Sequence, residues 1–143
     1  INCIHAVLPG MIKKEAGAIV CISSDAGRMG EYREAVYSAC KAGVIALSKS
    51  VARETGRYGL RLNVVCPGLV VPPEDESISE ESMWTEMRGI FTEDVREKVE
   101  RNYLFRRMGT AQEVANAVVF LASDAASFIT GQTLSVSGGY TMM

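Results

Sequence analysis

The chain has 143 residues, 48% of them hydrophobic, which is bulk enough for one domain with its own core. A formal net charge of -2 gives no basic field for nucleic acid, and a charged content of 22% is ordinary for a soluble globular protein. Cysteines at positions 3, 21, 40 and 66 make no CxxC pair and no Cys/His cluster, so disulfide-framework and metal-site readings fail on spacing and reduced, mostly buried thiols in a cytoplasmic setting are expected.

No apolar run approaches the roughly 20 residues that span a bilayer, and no signal peptide is visible. The chain opens on Ile1, and Asn2–Leu8 already reads like the inside of a helix, so the sequence is read as a fragment. Ile4, Val7, Leu8, Met11 and Ile12 recur at helical spacing up to Lys13-Lys14. Ala18–Ile22 is a short, β-branched apolar run closed by Ser23-Ser24, predicting a strand buried on both faces. After a loop marked by Gly27 and Gly30, Val36, Cys40, Val44, Leu47 and Val51 step by three or four, predicting a helix from Glu34 to about Tyr58, stopped by Gly59.

Arg61–Cys66 predicts a second buried strand, ended by Pro67-Gly68. Residues 72–105 are polar, with short helices expected around Ser82–Ile90 and Glu93–Tyr103. Glu74, Asp75, Glu76, Glu80 and Glu81 make the first part acidic, Arg96, Arg101, Arg106 and Arg107 make the later part basic, and both runs read as solvated faces. Thr110 and Glu113 have capping-box spacing, and Val114, Val118 and Leu121 form the apolar stripe of the helix that follows. Thr133–Val136 predicts a last strand before Gly138-Gly139. Strands alternating with helices imply a parallel sheet covered on both faces. Ligands then bind beyond the carboxyl ends of the strands, where Ser24 and Pro67-Gly68 fall.

Tyr37 and Lys41 stand at i and i+4, on one face of the predicted helix. A free tyrosine ionises near pH 10, and a neighbouring ammonium favours the phenolate and makes proton transfer practicable nearer neutrality. Ser24 can hold a substrate oxygen on which charge develops. The pair alone is common on helix surfaces, and its context adds the weight.

Ser24, Tyr37, Lys41 and Asn63–Gly68 together resemble the short-chain dehydrogenase/reductase family. The resemblance runs the whole length, through Gly17–Ser24, Tyr37–Gly43, Arg61–Gly68, Arg107–Gly109, Val119–Ser123, Gly131-Gln132 and Gly138-Gly139. It implies a Rossmann-like, doubly wound α/β sheet, of which residues 1–143 would be the C-terminal portion. It implies Tyr37 as general acid–base, Lys41 as its activator and a ligand of the nicotinamide ribose, and Ser24 as the residue orienting the substrate. Pro67, Gly68 and Val70 would line the pocket of an NAD or NADP cofactor, and 72–105 would be the substrate lid. Homodimers or homotetramers are implied, pairing the helices at Ile1–Lys14 and Glu34–Tyr58, with a second interface at Thr110–Leu121 and the last strand.

The family's TGxxxGxG turn is absent from these residues, and its helix asparagine would precede Ile1, so Asn2 is not its counterpart. Pro72 stands where a threonine is frequent, and Ser137 where many members carry Asp, a change read as minor. His5 has no ligand partner at helical spacing and reads as structural or surface; Asp25 reads as a loop cap before a tuner of the site. Met83, Trp84 and Met87 read as helix packing or substrate contacts, and Arg88, Arg106 or Arg107 as candidates for an anionic substrate group. The functional expectation is an NAD(P)-dependent oxidoreductase acting on a small-molecule secondary alcohol or ketone, in the manner of cyclic or acyl-thioester hydroxy dehydrogenases and 3-oxoacyl reductases. The rival expectation is a truncated or split, inactive piece that acts only in assembly.

Overall fold

The structure is a computed structural model that describes residues 1–72, 78–87, 89 and 91–142. Glu74, Asp75, Glu76, Arg88, Ile90 and the side chain of Met83, all singled out above, lie outside the described residues. In chain order the elements are α1 (Asn2–Lys14), β1 (Gly17–Ile22), α2 (Ala26–Met29), α3 (Ala35–Thr55), a 3-10 turn at Gly56–Tyr58 and β2 (Leu60–Pro67). Then come α4 (Met83–Met87), α5 (Glu93–Glu100), α6 (Ala111–Ala122), a 3-10 turn at Asp124–Ala126 and β3 (Thr133–Val136).

The strands lie in the order β1-β2-β3, both pairings parallel, with Gly17 opposite Leu60 and Val64 opposite Thr133. Side chains alternate across a strand, so each strand feeds two faces. On one face Leu62 of β2 packs with Val51 and Ala52 of α3, joined by Ile4 and Leu8 of α1 and Ile19 and Cys21 of β1. On the other, Val65 packs with Leu121 of α6 and Ala126, joined by Val20, Val114, Val118 and Val136. Helices thus cover both faces, as the alternating pattern implies.

Burial is distributed differently from the sequence expectation. In the described sheet β1 is an edge strand, half-buried along most of its length with Ile22 46% exposed. The doubly buried strand is β2, in the middle, where Leu62 through Cys66 are all buried. Its one polar member there, Asn63, is satisfied: Nδ2 donates to Ile129 O at 2.8 Å, and Oδ1 accepts from Gln132 N at 3.0 Å. Arg61 forks onto the carbonyl end of α6, donating to Leu121 O (2.6 Å), Ala122 O (3.2 Å) and Ser123 O (3.0 Å). A guanidinium there satisfies carbonyls the helix leaves unpaired and complements its dipole.

α3 ends at Thr55 rather than Tyr58, and its apolar stripe is buried only in the second half: Val36 is exposed, Val51 and Ala52 are core. Gly59 has φ +74, and a Cβ there would stand 2.8 Å from Glu15 O, so glycine is required on both counts. The capping box of α6 is complete, Thr110 Oγ1 accepting from Glu113 N and Glu113 Oε2 accepting from Thr110 N. α5 is shorter than expected and carries exposed i,i+4 pairs, Arg96–Glu100 and Arg101–Glu97, in keeping with a solvated face. Trp84 meets Phe91 edge-on at 5.9 Å, local packing between α4 and the turn after it. The thiols are not mostly buried: Cys3 and Cys40 are exposed, Cys21 is half-buried and Cys66 buried, all free. Among the described residues no helix is long and apolar enough to cross a membrane.

Candidate active site

Beyond Ile22 the chain follows β2 for a few more residues. Ser23 N–H donates to Val65 O at 2.8 Å and Asp25 N–H to Pro67 O at 3.2 Å, so Ser24 is held level with the end of β2. Its Oγ accepts from Ala26 N at 3.2 Å, a side-chain turn that leaves the hydroxyl proton free to donate. Lys41 ties this strand end to α3. Its backbone carbonyl accepts from Ser23 Oγ at 2.8 Å, and its Nζ donates to Ile22 O at 3.4 Å. The same Nζ lies 5.5 Å from the centroid of the Tyr37 ring, one helical turn back. Tyr37 is 46% exposed, a phenol open at the carboxyl edge of the sheet.

The approach of the loop to α3 depends on Gly27. A Cβ there would stand 2.7 Å from Lys41 C and 2.8 Å from Ala42 N, backbone atoms that cannot swing aside. At the end of β2, Gly68 N–H donates to Val136 O at 3.1 Å and Leu69 N–H to the Tyr103 hydroxyl at 2.8 Å. Gly68 is hemmed in as well: an added Cβ would lie 3.1 Å from Ser137 Cβ and from Tyr103 Cε1. Val70 pairs in a short parallel bridge with Gly109, whose N–H donates to Leu69 O at 3.2 Å. Pro67, the last residue of β2, and Gly68 and Val70 just beyond it thus form one half-buried segment at the carboxyl edge of the sheet.

Residues 1–141 match the family described as enoyl-(acyl carrier protein) reductase. The chain belongs to the short-chain dehydrogenase/reductase family. It is 43% identical over 138 residues to an acetoacetyl-CoA reductase of Synechocystis sp., covering 96% of this chain and 52% of that protein. It is also 43% identical over 138 residues to the 3-oxoacyl-[acyl-carrier-protein] reductase FabG of Escherichia coli, covering 96% of this chain and 51% of that one. Among solved structures, ElxO with NADP bound superposes with a TM-score of 0.82 at 32% identity, covering 96% of this chain and 52% of that one. The chain spans about half the length of the curated relatives it matches.

Within this short-chain dehydrogenase/reductase frame, several residues act differently from their sequence reading. Asp25 is not a loop cap: its side chain makes no cap hydrogen bond at α2 and is buried. Its Oδ2 accepts from Ser135 Oγ at 2.6 Å, Ser135 meets Ser137 Oγ at 2.7 Å, and Arg28 Nη1 lies 3.5 Å from Oδ1. Ser137, read as a minor substitution, is therefore a buried member of a polar chain behind Ser24. Cys66 lies beside the same group; burial, then the Asp25 charge, raises its thiol above the usual range.

Of the anion-binding candidates, Arg106 and Arg107 are otherwise engaged, and Arg88 lies outside the described residues. Arg107 grips Glu113, with Nη1 to Oε2 at 3.0 Å, and Arg106 Nη1 donates to Arg101 O at 2.6 Å. The Arg107 hydrogen bond holds Glu113 down at about 2, helped by the Thr110 amide. His5 is a surface residue. Sequence reasoning passed over Glu31, Tyr103 and Tyr140. Tyr140 donates to Glu31 Oε2 at 2.6 Å and stacks on Tyr103 with ring centroids 5.1 Å apart. No local pattern announces a contact between residues so far apart in the chain.

Proposed function

We propose that this chain carries the proton-transfer half of an NAD(P)-dependent oxidoreductase that interconverts a secondary alcohol and a ketone, with 3-hydroxyacyl and 3-oxoacyl thioesters as its substrate class. The observation that carries the reading is the Lys41 ammonium set over the Tyr37 ring at the carboxyl edge of a parallel sheet. In reduction Tyr37 gives its phenolic proton to the carbonyl oxygen, and in oxidation it takes a proton from the hydroxyl. Ser24 donates to the same oxygen, where negative charge develops. The substrate class draws on the relatives named for acetoacetyl-CoA and 3-oxoacyl-carrier reduction.

The residues present fit a nicotinamide dinucleotide. Lys41 Nζ spends one proton on Ile22 O and retains others for ribose hydroxyls. Tyr37 lies beside it, and Pro67, Gly68 and Val70 offer a half-buried wall for a flat ring. When bound, the dinucleotide supplies or accepts the hydride. The segment 72–105 serves as the substrate lid, and four free thiols suit a cytoplasmic setting. Homodimers or homotetramers form on α1 and α3, and on α6 and β3, where Val36, Val119 and Leu134 are exposed. The 143-residue chain alone, with no glycine-rich turn in its sequence, is inactive.

The test is a substrate panel, with NADH and NADPH, on the natural polypeptide carrying this sequence. Acetoacetyl-CoA and longer 3-oxoacyl thioesters are expected to be reduced. Turnover confined to sugars or steroids would overturn the substrate class. Turnover by the purified 143-residue chain, verified by mass, would overturn its inactivity.

A further inference from the structure

The site described above leaves one long-range polar contact unused. Tyr140 donates to Glu31 Oε2 at 2.6 Å, joining residues 109 apart in sequence. The contact sits between two walls of the candidate site. On one side, Glu31 N–H donates to Ser38 Oγ at 3.2 Å, and Ser38 follows Tyr37 in the first turn of α3. On the other, Tyr140 stacks on Tyr103 with the planes 21° apart, and Tyr103 takes the Leu69 N–H beside Pro67-Gly68. Gly68 leaves room for Tyr103, whose Cε1 an added Cβ would crowd at 3.1 Å.

From these contacts we infer that Tyr140 and Glu31 are positioning residues, a strap that sets the spacing between the Tyr37 helix and the Pro67–Val70 segment. The inference rests on the proton-transfer reading proposed above. The Tyr37 phenol is half exposed, and Lys41 of the same helix stands over its ring. A half-exposed proton donor near the start of a helix needs that helix's first turn fixed against the opposite wall, and the strap supplies the fixing. The carboxylate acceptor raises the Tyr140 phenol further out of the physiological range, so it stays protonated and remains the donor. Glu31 is also internally fixed, its Oε1 accepting from Tyr32 N at 3.1 Å, which keeps Oε2 aimed at Tyr140. Misplacing a reacting group by about 1 Å costs on the order of 100-fold in rate, so a strap of this kind acts on kcat more than on substrate binding.

The test compares Tyr140→Phe, Glu31→Ala and Glu31→Gln in the natural polypeptide. Tyr140→Phe keeps the ring stack and loses the hydrogen bond; Glu31→Gln keeps a carbonyl oxygen for Tyr140. Tyr140→Phe and Glu31→Ala are expected to lower kcat about tenfold with KM for the oxo substrate within about twofold, while Glu31→Gln retains most of the rate. Hydrogen exchange in the cofactor-free protein provides a readout independent of turnover. Amides of residues 31–38 should exchange about tenfold faster in Tyr140→Phe, with those of α6 unchanged. Wild-type kcat and wild-type exchange in Tyr140→Phe would overturn the inference, as would a loss of rate matched by an equal loss of folded protein. If Tyr140→Phe fails to fold, Glu31→Ala carries the same comparison. If Tyr37→Phe keeps the wild-type rate, the proton-transfer reading fails instead, and the exchange data still report whether the strap orders the first turn of α3.

Discussion

Replacing Gly27 by alanine adds one methyl group at the place where the Ser24 loop meets α3, the helix that carries Tyr37 and Lys41. The new Cβ would stand 2.7 Å from Lys41 C and 2.8 Å from Ala42 N. Carbon atoms pack without repulsion at about 3.5 Å, so the loop or α3 must retreat by roughly 0.8 Å. The opposing atoms are backbone, and overpacking against backbone in a filled interior costs about 1–3 kcal/mol. For a domain of the size of these relatives that corresponds to a fall in Tm of about 4–8 °C for a 2 kcal/mol loss. The displacement also moves the Ser23 hydroxyl away from Lys41 O and changes the distance from Ser24 to the Tyr37–Lys41 pair. A shift approaching 1 Å is worth on the order of 100-fold in kcat. The assay is thermal unfolding beside steady-state reduction of acetoacetyl-CoA by the natural polypeptide. A Gly27→Ala variant with wild-type Tm would refute the packing argument, and one that loses stability but keeps kcat would refute the coupling of this loop to the chemistry.

Other consequences follow from single side chains. Arg61→Met removes a fork onto the end of α6 and is expected to cost about 2 kcal/mol in urea unfolding, with Arg61→Lys recovering only part because an ammonium cannot reach several carbonyls in one plane; a loss below about 0.5 kcal/mol would contradict this role. Glu113 is held at about 2 by Arg107 and the Thr110 amide, against an ordinary value of 4.5. Because the folded-state value is depressed, its contribution to stability is present above about pH 4.5 and is lost as pH falls towards 2. Arg107→Ala should flatten that part of the Tm–pH curve, and a curve identical to wild type would contradict the assignment.

How much of this was legible in the sequence depended on the range of the interaction. The Thr110–Glu113 capping box and the Thr133–Val136 strand are set by neighbours, and both stand where the sequence put them. The alternation of apolar runs was enough for the parallel sheet, and the i,i+4 spacing for the Lys41–Tyr37 contact. It could not say which strand lies in the middle. Ala18–Ile22 and Arg61–Cys66 both read as buried strands, and only the pairing order puts one at the edge of the described sheet. Side chains whose partners lie far along the chain were misjudged for the same reason. Asp25 reads as a turn residue until β3 brings Ser135 beside it, and Ser137 reads as a neutral change until that chain of hydroxyls is seen. Tyr140 carries no signal in the sequence, and its role shows only where it meets Glu31.

Whether Tyr37 moves the proton is measured directly by kcat for Tyr37→Phe in the natural polypeptide, with cofactor affinity measured alongside. The substitution removes one oxygen atom and keeps the ring under the Lys41 ammonium. The expected result is a fall in kcat of about 100- to 10,000-fold, with cofactor binding changed by no more than a few-fold. A variant that reduces 3-oxoacyl thioesters at the wild-type rate would contradict that role for Tyr37.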